Sequence, residues 1–210
     1  MSDKHEWRKQ EKQFYLPKRK PEVVNIPEFK FISISGEGNP NSAFFQEHIR
    51  ALYPLAYTIK MTLKKQTKKP KGYQDFTVYP LEGVWDIKVE ARENFTGIIN
   101  PDDLVYEIML RQPDFVDDAI YAEMFDIVKK KKPNPLYDKI KFHKVTEGKC
   151  VQMLHVGKFA DEPASFSEME AFAKQKGLTR LSKIHREIYL SDLRKTAPEK
   201  LKTVLRFNVR

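Results

Sequence analysis

The chain has 210 residues, 40% hydrophobic and 32% charged, with a formal net charge of +9. That is the composition of a folded domain with a heavily charged surface and excludes wholesale disorder. Its single cysteine, Cys150, excludes an internal disulfide framework.

A lone cysteine fits a reducing compartment. Met1–Lys20 lacks the apolar stretch of a secretory signal. No run reaches the roughly 18 apolar residues that a membrane span needs, so a cytoplasmic protein with no membrane partner is expected. The lysines gather in two runs, Lys64–Lys71 and Lys129–Lys132, each just after a predicted helix. The helix dipole favours cations there, and nothing beside the runs reads bases. They are therefore read as solvated helix ends, ahead of a nucleic-acid surface.

Residues 1–28, interrupted by Pro17, Pro21 and Pro27, read as an extended arm too short to hold a folded DNA-binding domain. Phe29–Ser35 alternates, with Ile32 and Ile34 on one side and Phe31 and Ser33 on the other, and is a strand. Gly36–Pro40 is a turn with Asn39 as a helix N-cap. The helix over 41–63 carries Phe45, Ile49, Leu52, Ala56, Ile59 and Leu63 at steps of three and four, and Pro54 predicts a kink. Residues 76–79 and 85–89 read as a strand pair around Pro80 and Gly83. A loop over 93–103 leads to a strand at Val105–Arg111.

Phe115–Lys129 is helical, stopped by Pro133 and Pro135. Lys139–Val145 and Lys149–Val156 form a hairpin through Glu147-Gly148. A second long helix starts at Ser165, with Glu168 completing a capping box, and stops at Gly177. Ile184–Leu190 is a strand, Pro198–Leu201 a helical turn and Val204–Val209 the closing strand. The order strand, glycine turn, helix, strand, strand thus occurs twice. Ile32 and Ile34 match Leu154 and Val156, and Gly36…Pro40 matches Gly157…Pro163. The expected fold is α+β: a tandem pair of strand–helix–strand–strand units within 29–210. Half 1 covers 29–113, a connecting helix 115–131 and half 2 139–210, with pseudo-twofold symmetry and a central ligand cleft.

His185, Glu187 and Tyr189 share one face of the strand at 184–190, while Ile184, Ile188 and Leu190 share the other and are expected to pack on helices. A carboxylate in mid-strand needs solvent or a partner, so the first face is either exposed or the wall of a site. Trp85, beside a proline–glycine bend, is a core plug or the flat wall of a pocket. Glu107 and Met109 alternate with Tyr106, Ile108 and Leu110, and Phe115 enters the next helix. His5, His48, His143, His155 and His185 show no metal-ligand spacing. Gly36-Glu37-Gly38 lacks a dinucleotide fingerprint, so neither metal nor cofactor is expected. Cys150 has no histidine beside it and reads as a small core residue.

Several stretches together resemble the GyrI-like small-molecule-binding proteins. They are Tyr79–Trp85, Arg111–Val116, His155–Phe159 and, above all, His185–Asp192 followed by Arg194–Arg206. The resemblance covers about residues 20–210. It implies a duplicated strand–helix–strand–strand (SHS2) fold and a planar aromatic small molecule as the partner. The stand-alone branch it is most similar to includes hydrolases that open the cyclopropane of cyclopropanoid DNA-alkylating compounds, an activity of drug resistance. A non-catalytic, drug-sequestering binder is the other function it implies. Glu187 and Tyr189 fall on the acidic position and its neighbouring tyrosine, the expected catalytic pair. Trp85, Phe115, Glu107, Met109 and His155 are the expected substrate-binding residues. The chain departs from the pattern at Asp86, Phe159, Arg186 and Leu193, where the branch often has Trp, Tyr, His and Pro.

Overall fold

The computed structural model describes residues 4–93, 99–192 and 195–210. Leu193, Arg194 and part of the predicted 93–103 loop lie outside the described residues. Two helical turns, α1 (Trp7–Gln10) and α2 (Lys12–Tyr15), precede β1 (Glu22–Glu37). There follow α3 (Ala43–Lys65), β2 (Leu81–Ile87), α4 (Val89–Glu93), β3 (Leu104–Gln112) and α5 (Asp118–Lys131). The chain closes with β4 (Lys141–Val156), α6 (Glu162–Gln175), β5 (His185–Tyr189) and β6 (Lys202–Asn208). The class is α+β with antiparallel pairing. Among the described residues no helix is long and apolar enough to cross a membrane.

The residues form two compact units. The first holds residues 4–6, Phe29–Tyr79 and Ile87–Val145. Here β1 pairs with β3 in the register Ile32↔Leu110 and Ile34↔Ile108, and all four side chains are buried. Directly opposed residues of an antiparallel pair share a face, so the predicted Ile32/Ile34 side is the core side. α3 packs on β3 and α5. Its buried stripe contains Phe45, Leu52, Ala56, Ile59 and Leu63 as the spacing predicts, widened by His48, Ala51 and Leu55. Its N-cap is Ser42, whose Oγ accepts from the Phe45 N–H at 3.2 Å. Asn39 serves the turn before it, accepting from the Asn41 N–H at 2.9 Å. α3 runs as one helix through Pro54.

The second unit holds Trp7–Glu28, Pro80–Asp86 and Thr146–Arg210. β2, which the repeat assigns to the first half, pairs with β5, and β5 with β6 and β6 with β4. Register sorts the side chains onto two faces. One face carries Val151, Met153, Leu205 and Phe207, which pack with Met169 and Ala173 of α6 into an apolar core. The other carries Arg186 opposite Arg206, and Arg206 opposite Gln152.

Three expectations are corrected. The arm is not extended throughout: it holds two helical turns and the start of β1, and Trp7 and Tyr15 are buried with ring centroids 5.3 Å apart. Residues 139–156 are not a hairpin, since β4 runs unbroken from Lys141 to Val156. Gly148 takes φ +69 within it, and Glu147 is drawn inward by two arginines, where a hairpin tip would face solvent. Finally, α6 begins at Glu162 rather than Ser165, with Pro163 in its first turn, where a missing N–H costs nothing.

Candidate functional site

In the second unit the register builds the site row by row. On the face toward α6, Leu81, Tyr189, Thr203 and His155 stand in line across β2, β5, β6 and β4. The next row is Gly83, Glu187, Leu205 and Met153, and beyond it Trp85 opposes His185. The pleat thus delivers Trp85, Tyr189 and Glu187 to one face. Gly83 leaves the gap they meet in: a Cβ there would lie 2.7 Å from Trp85 Nε1 and 3.1 Å from the Tyr189 oxygen. Through that gap the Trp85 indole N–H donates to the Tyr189 hydroxyl at 2.7 Å. The Tyr189 hydroxyl in turn hydrogen-bonds Glu187. His185 Nε2 lies 3.2 Å from Glu187 Oε1 on the other side.

This placement corrects the expected orientation of β5. The face with Glu187 and Tyr189 is the one that α6 covers, whereas Ile188 lies on the face with the arginines. Glu162, in the first turn of α6, hydrogen-bonds Glu187 and is only 6% exposed. Burial, and then the Glu187 charge, push its carboxyl up to about 10, so it stays neutral at physiological pH. Burial, and then the same carboxylate, hold the Tyr189 hydroxyl well above its usual range. Phe159 meets Tyr189 edge-on at 6.2 Å and Phe166 meets His185 edge-on at 4.7 Å. Phe159 is the exposed aromatic of the group, while Trp85 is 5% exposed.

The other predicted residues have definite places. Both ring nitrogens of His155 are engaged, Nδ1 with Ser165 Oγ at 2.9 Å and Nε2 with the Lys158 carbonyl at 3.0 Å. His155 therefore ties α6 to the turn after β4, and Ser165 serves it rather than a capping box. Glu107, Met109 and Phe115 belong to the first unit. Glu107 Oε1 accepts from Ser33 Oγ at 2.7 Å and lies 3.4 Å from His143 Nε2. Ser33 Oγ also lies 3.2 Å from His143 Nε2. Met109 is buried opposite Ser33. Phe115 packs on Tyr73 and Phe76, with centroids 5.2 and 6.0 Å away.

Sequence reasoning missed Glu162, because the helix start was placed three residues late. The signal was Asp161-Glu162-Pro163, acidic residues leading into a first-turn proline. It also missed the ion pairs behind the site. Arg186 Nη1 holds Glu82 Oε2 at 2.9 Å, and its Nε holds Glu147 Oε1 at 2.9 Å. Arg206 Nη1 takes the second Glu147 oxygen at 2.9 Å. Burial alone would raise the Glu147 carboxyl, but the two arginines outweigh it and hold it below its ordinary value. The departure at Arg186 thus has a structural reason: it points away from the site and clamps β5 to β2 and β4.

The sequence pattern of the GyrI-like small molecule binding domain matches residues 19–210. The chain belongs to the GyrI-like family. A protein described as a hydrolase from Listeria innocua is 39% identical, superimposes with a TM-score of 0.87, and the match covers 99% of this chain and 100% of that one. An uncharacterized conserved protein from Listeria innocua is 40% identical with a TM-score of 0.89 over the same shares. The EcmrR C-terminal domain, at 14% identity, a TM-score of 0.52 and coverage of 91% and 97%, shares the fold. No curated protein matches the chain. Small-molecule binding is accordingly the property of this GyrI-like domain.

Proposed function

We propose that the second unit binds a flat, electrophilic small molecule beside Tyr189 and Glu187 and hydrolyses it by opening an activated cyclopropane. The observation that carries this is the hydrogen-bonded row Trp85–Tyr189–Glu187, which fixes a carboxylate among aromatic rings. A 39% identical relative described as a hydrolase points the same way. Phe159 offers an exposed ring for stacking, a contact worth on the order of 1 kcal/mol beyond burial. Trp85 anchors the Tyr189 oxygen, and because the Tyr189 hydroxyl bonds Glu187, it holds that carboxylate in place.

The reaction adds one water. The water oxygen bonds to the ring methylene while Glu187 takes one of its protons. The cyclopropane C–C bond breaks, and its electron pair runs through the conjugated ring to the carbonyl oxygen, which gains a proton and becomes a phenol. General-base help of this kind contributes roughly 100- to 10,000-fold.

A spirocyclopropyl cyclohexadienone that opens to para-hydroxyethylphenol is the test substrate. Turnover beyond one equivalent is expected, falling at least 100-fold in Glu187→Gln, within the range for a lost general base, while the substrate still changes Trp85 fluorescence in a Trp7→Phe background. Binding without turnover, lost in Glu187→Gln only for cationic flat compounds, would make the protein a sequestering binder and overturn the hydrolase reading.

A further inference from the structure

The site contains a second carboxyl that the aromatic row does not explain. Glu162 is buried at the N-terminal turn of α6, a helix of 14 residues. A helix N-terminus stabilises negative charge, and Asp or Glu there is ordinarily ionised. Here the neighbour is Glu187, and two carboxylates in hydrogen-bond contact cannot both ionise. The Glu162 carboxyl is accordingly raised, with burial as the first cause and the Glu187 charge as the second. Glu162 Oε1 is buried and has no hydrogen-bond partner among the described residues. An unmet buried carboxyl oxygen costs about 1–3 kcal/mol, and nothing in the apolar packing of α6 calls for a carboxyl there.

We propose that Glu162 is the proton donor of the site, so that Glu162 and Glu187 act as an acid and base pair on one oxygen-activated substrate. The inference rests on the hydrolase reading and deepens it. As water attacks the strained ring, Glu187 takes a proton from it, and Glu162 gives its proton to the carbonyl oxygen that receives the electron pair. At the end Glu187 holds a proton and Glu162 has lost one. Transfer along the hydrogen bond between the two carboxyls restores the starting state without solvent. The substrate class follows from this need. It must carry a weakly basic oxygen conjugated to the bond that breaks, as a dienone does, rather than a leaving group stable as an anion.

Glu162 remains protonated until about pH 10, with burial first and the Glu187 charge second as the causes. The acid limb of the pair is therefore available across the neutral range.

The test compares Glu162→Gln with wild type on two probes. The first is the plain spirocyclopropyl dienone, and the second its ring-fluorinated analogue, whose phenolate leaves without needing a proton. Glu162→Gln is expected to lose 100-fold or more on the plain dienone, the lower end of the range for a lost general acid, and ten-fold or less on the fluorinated one. Glu187→Gln should lose activity equally on both. An equal loss on both probes in Glu162→Gln would make the residue merely structural, and unchanged turnover would remove it from the reaction. Either result overturns the proposal while leaving the hydrolase reading intact. Absence of turnover in wild type overturns both. A protonated-carboxyl infrared band at neutral pH, present in wild type and missing in Glu162→Gln, checks the proton itself, and its absence from wild type also refutes the donor role.

Discussion

Gly83 carries the site's geometry by having no side chain. It sits opposite Glu187, between Leu81 and Trp85 on the same face, and a Cβ there would collide with the Trp85 nitrogen and crowd the Tyr189 oxygen. Gly83→Ala should push the indole off Tyr189. Overpacking of this kind costs about 1–3 kcal/mol, so the urea midpoint should fall while Trp85 emission shifts. An alanine variant with wild-type emission and stability would show that Trp85 does not anchor Tyr189. A comparable close approach exists in the first unit, where a Cβ on Gly36 would meet the Tyr106 oxygen at 2.5 Å and His48 Cε1 at 2.7 Å. Tyr106 and His48 are hydrogen-bonded at 3.1 Å.

Among the elements, β4, β5, β6 and β2 are joined behind the site by side chains as well as by backbone. Glu147 on β4 accepts from Arg186 on β5 and Arg206 on β6, and Arg186 reaches Glu82 on β2. The Arg206 Nη2 also donates to the Phe14 carbonyl at 2.6 Å, and Gln152 Nε2 to the Gln13 carbonyl at 2.7 Å. The network thus holds the N-terminal segment as well. Replacing Glu147 by Gln leaves two buried guanidinium groups short of charge, a change that typically costs about 3–5 kcal/mol. A melting temperature within a degree of wild type would rule that out. Because Glu147 is held below its ordinary value of 4.5, its contribution is present above that pH. It is lost as pH falls through the lower folded value.

For the whole molecule, Glu162 tilts stability in the opposite direction. Its carboxyl is raised from 4.5 to about 10, so between those values the folded state binds a proton that the unfolded state has released. Stability therefore declines as pH rises across that window. Glu162→Gln removes the titration, and its stability should fall less from pH 5 to pH 9 than that of wild type. Parallel pH profiles from chemical denaturation would mean that the two carboxyls do not share a proton in the folded chain.

The alternation at 29–35 and 184–190, the stripes of α3 and the prolines after α5 were legible in the sequence. Period and punctuation are local properties, fixed by the geometry of strand and helix. Glu187, Tyr189 and Trp85 were legible as candidates because a mid-strand carboxylate beside a tyrosine is unusual, and the family resemblance marked the same positions. Which face of β5 meets α6 was not legible. Both faces alternate with the same period, and Arg186 became a buried residue only when Glu82 and Glu147 arrived from strands distant in sequence. Nor could residues 139–156 be told from a hairpin, since Glu147-Gly148 has turn chemistry and is kept in one strand by two arginines from elsewhere. Glu162 looked like a turn residue. Only the packing of α6 over β5 brings it to Glu187, where burial first and the Glu187 charge second raise its carboxyl.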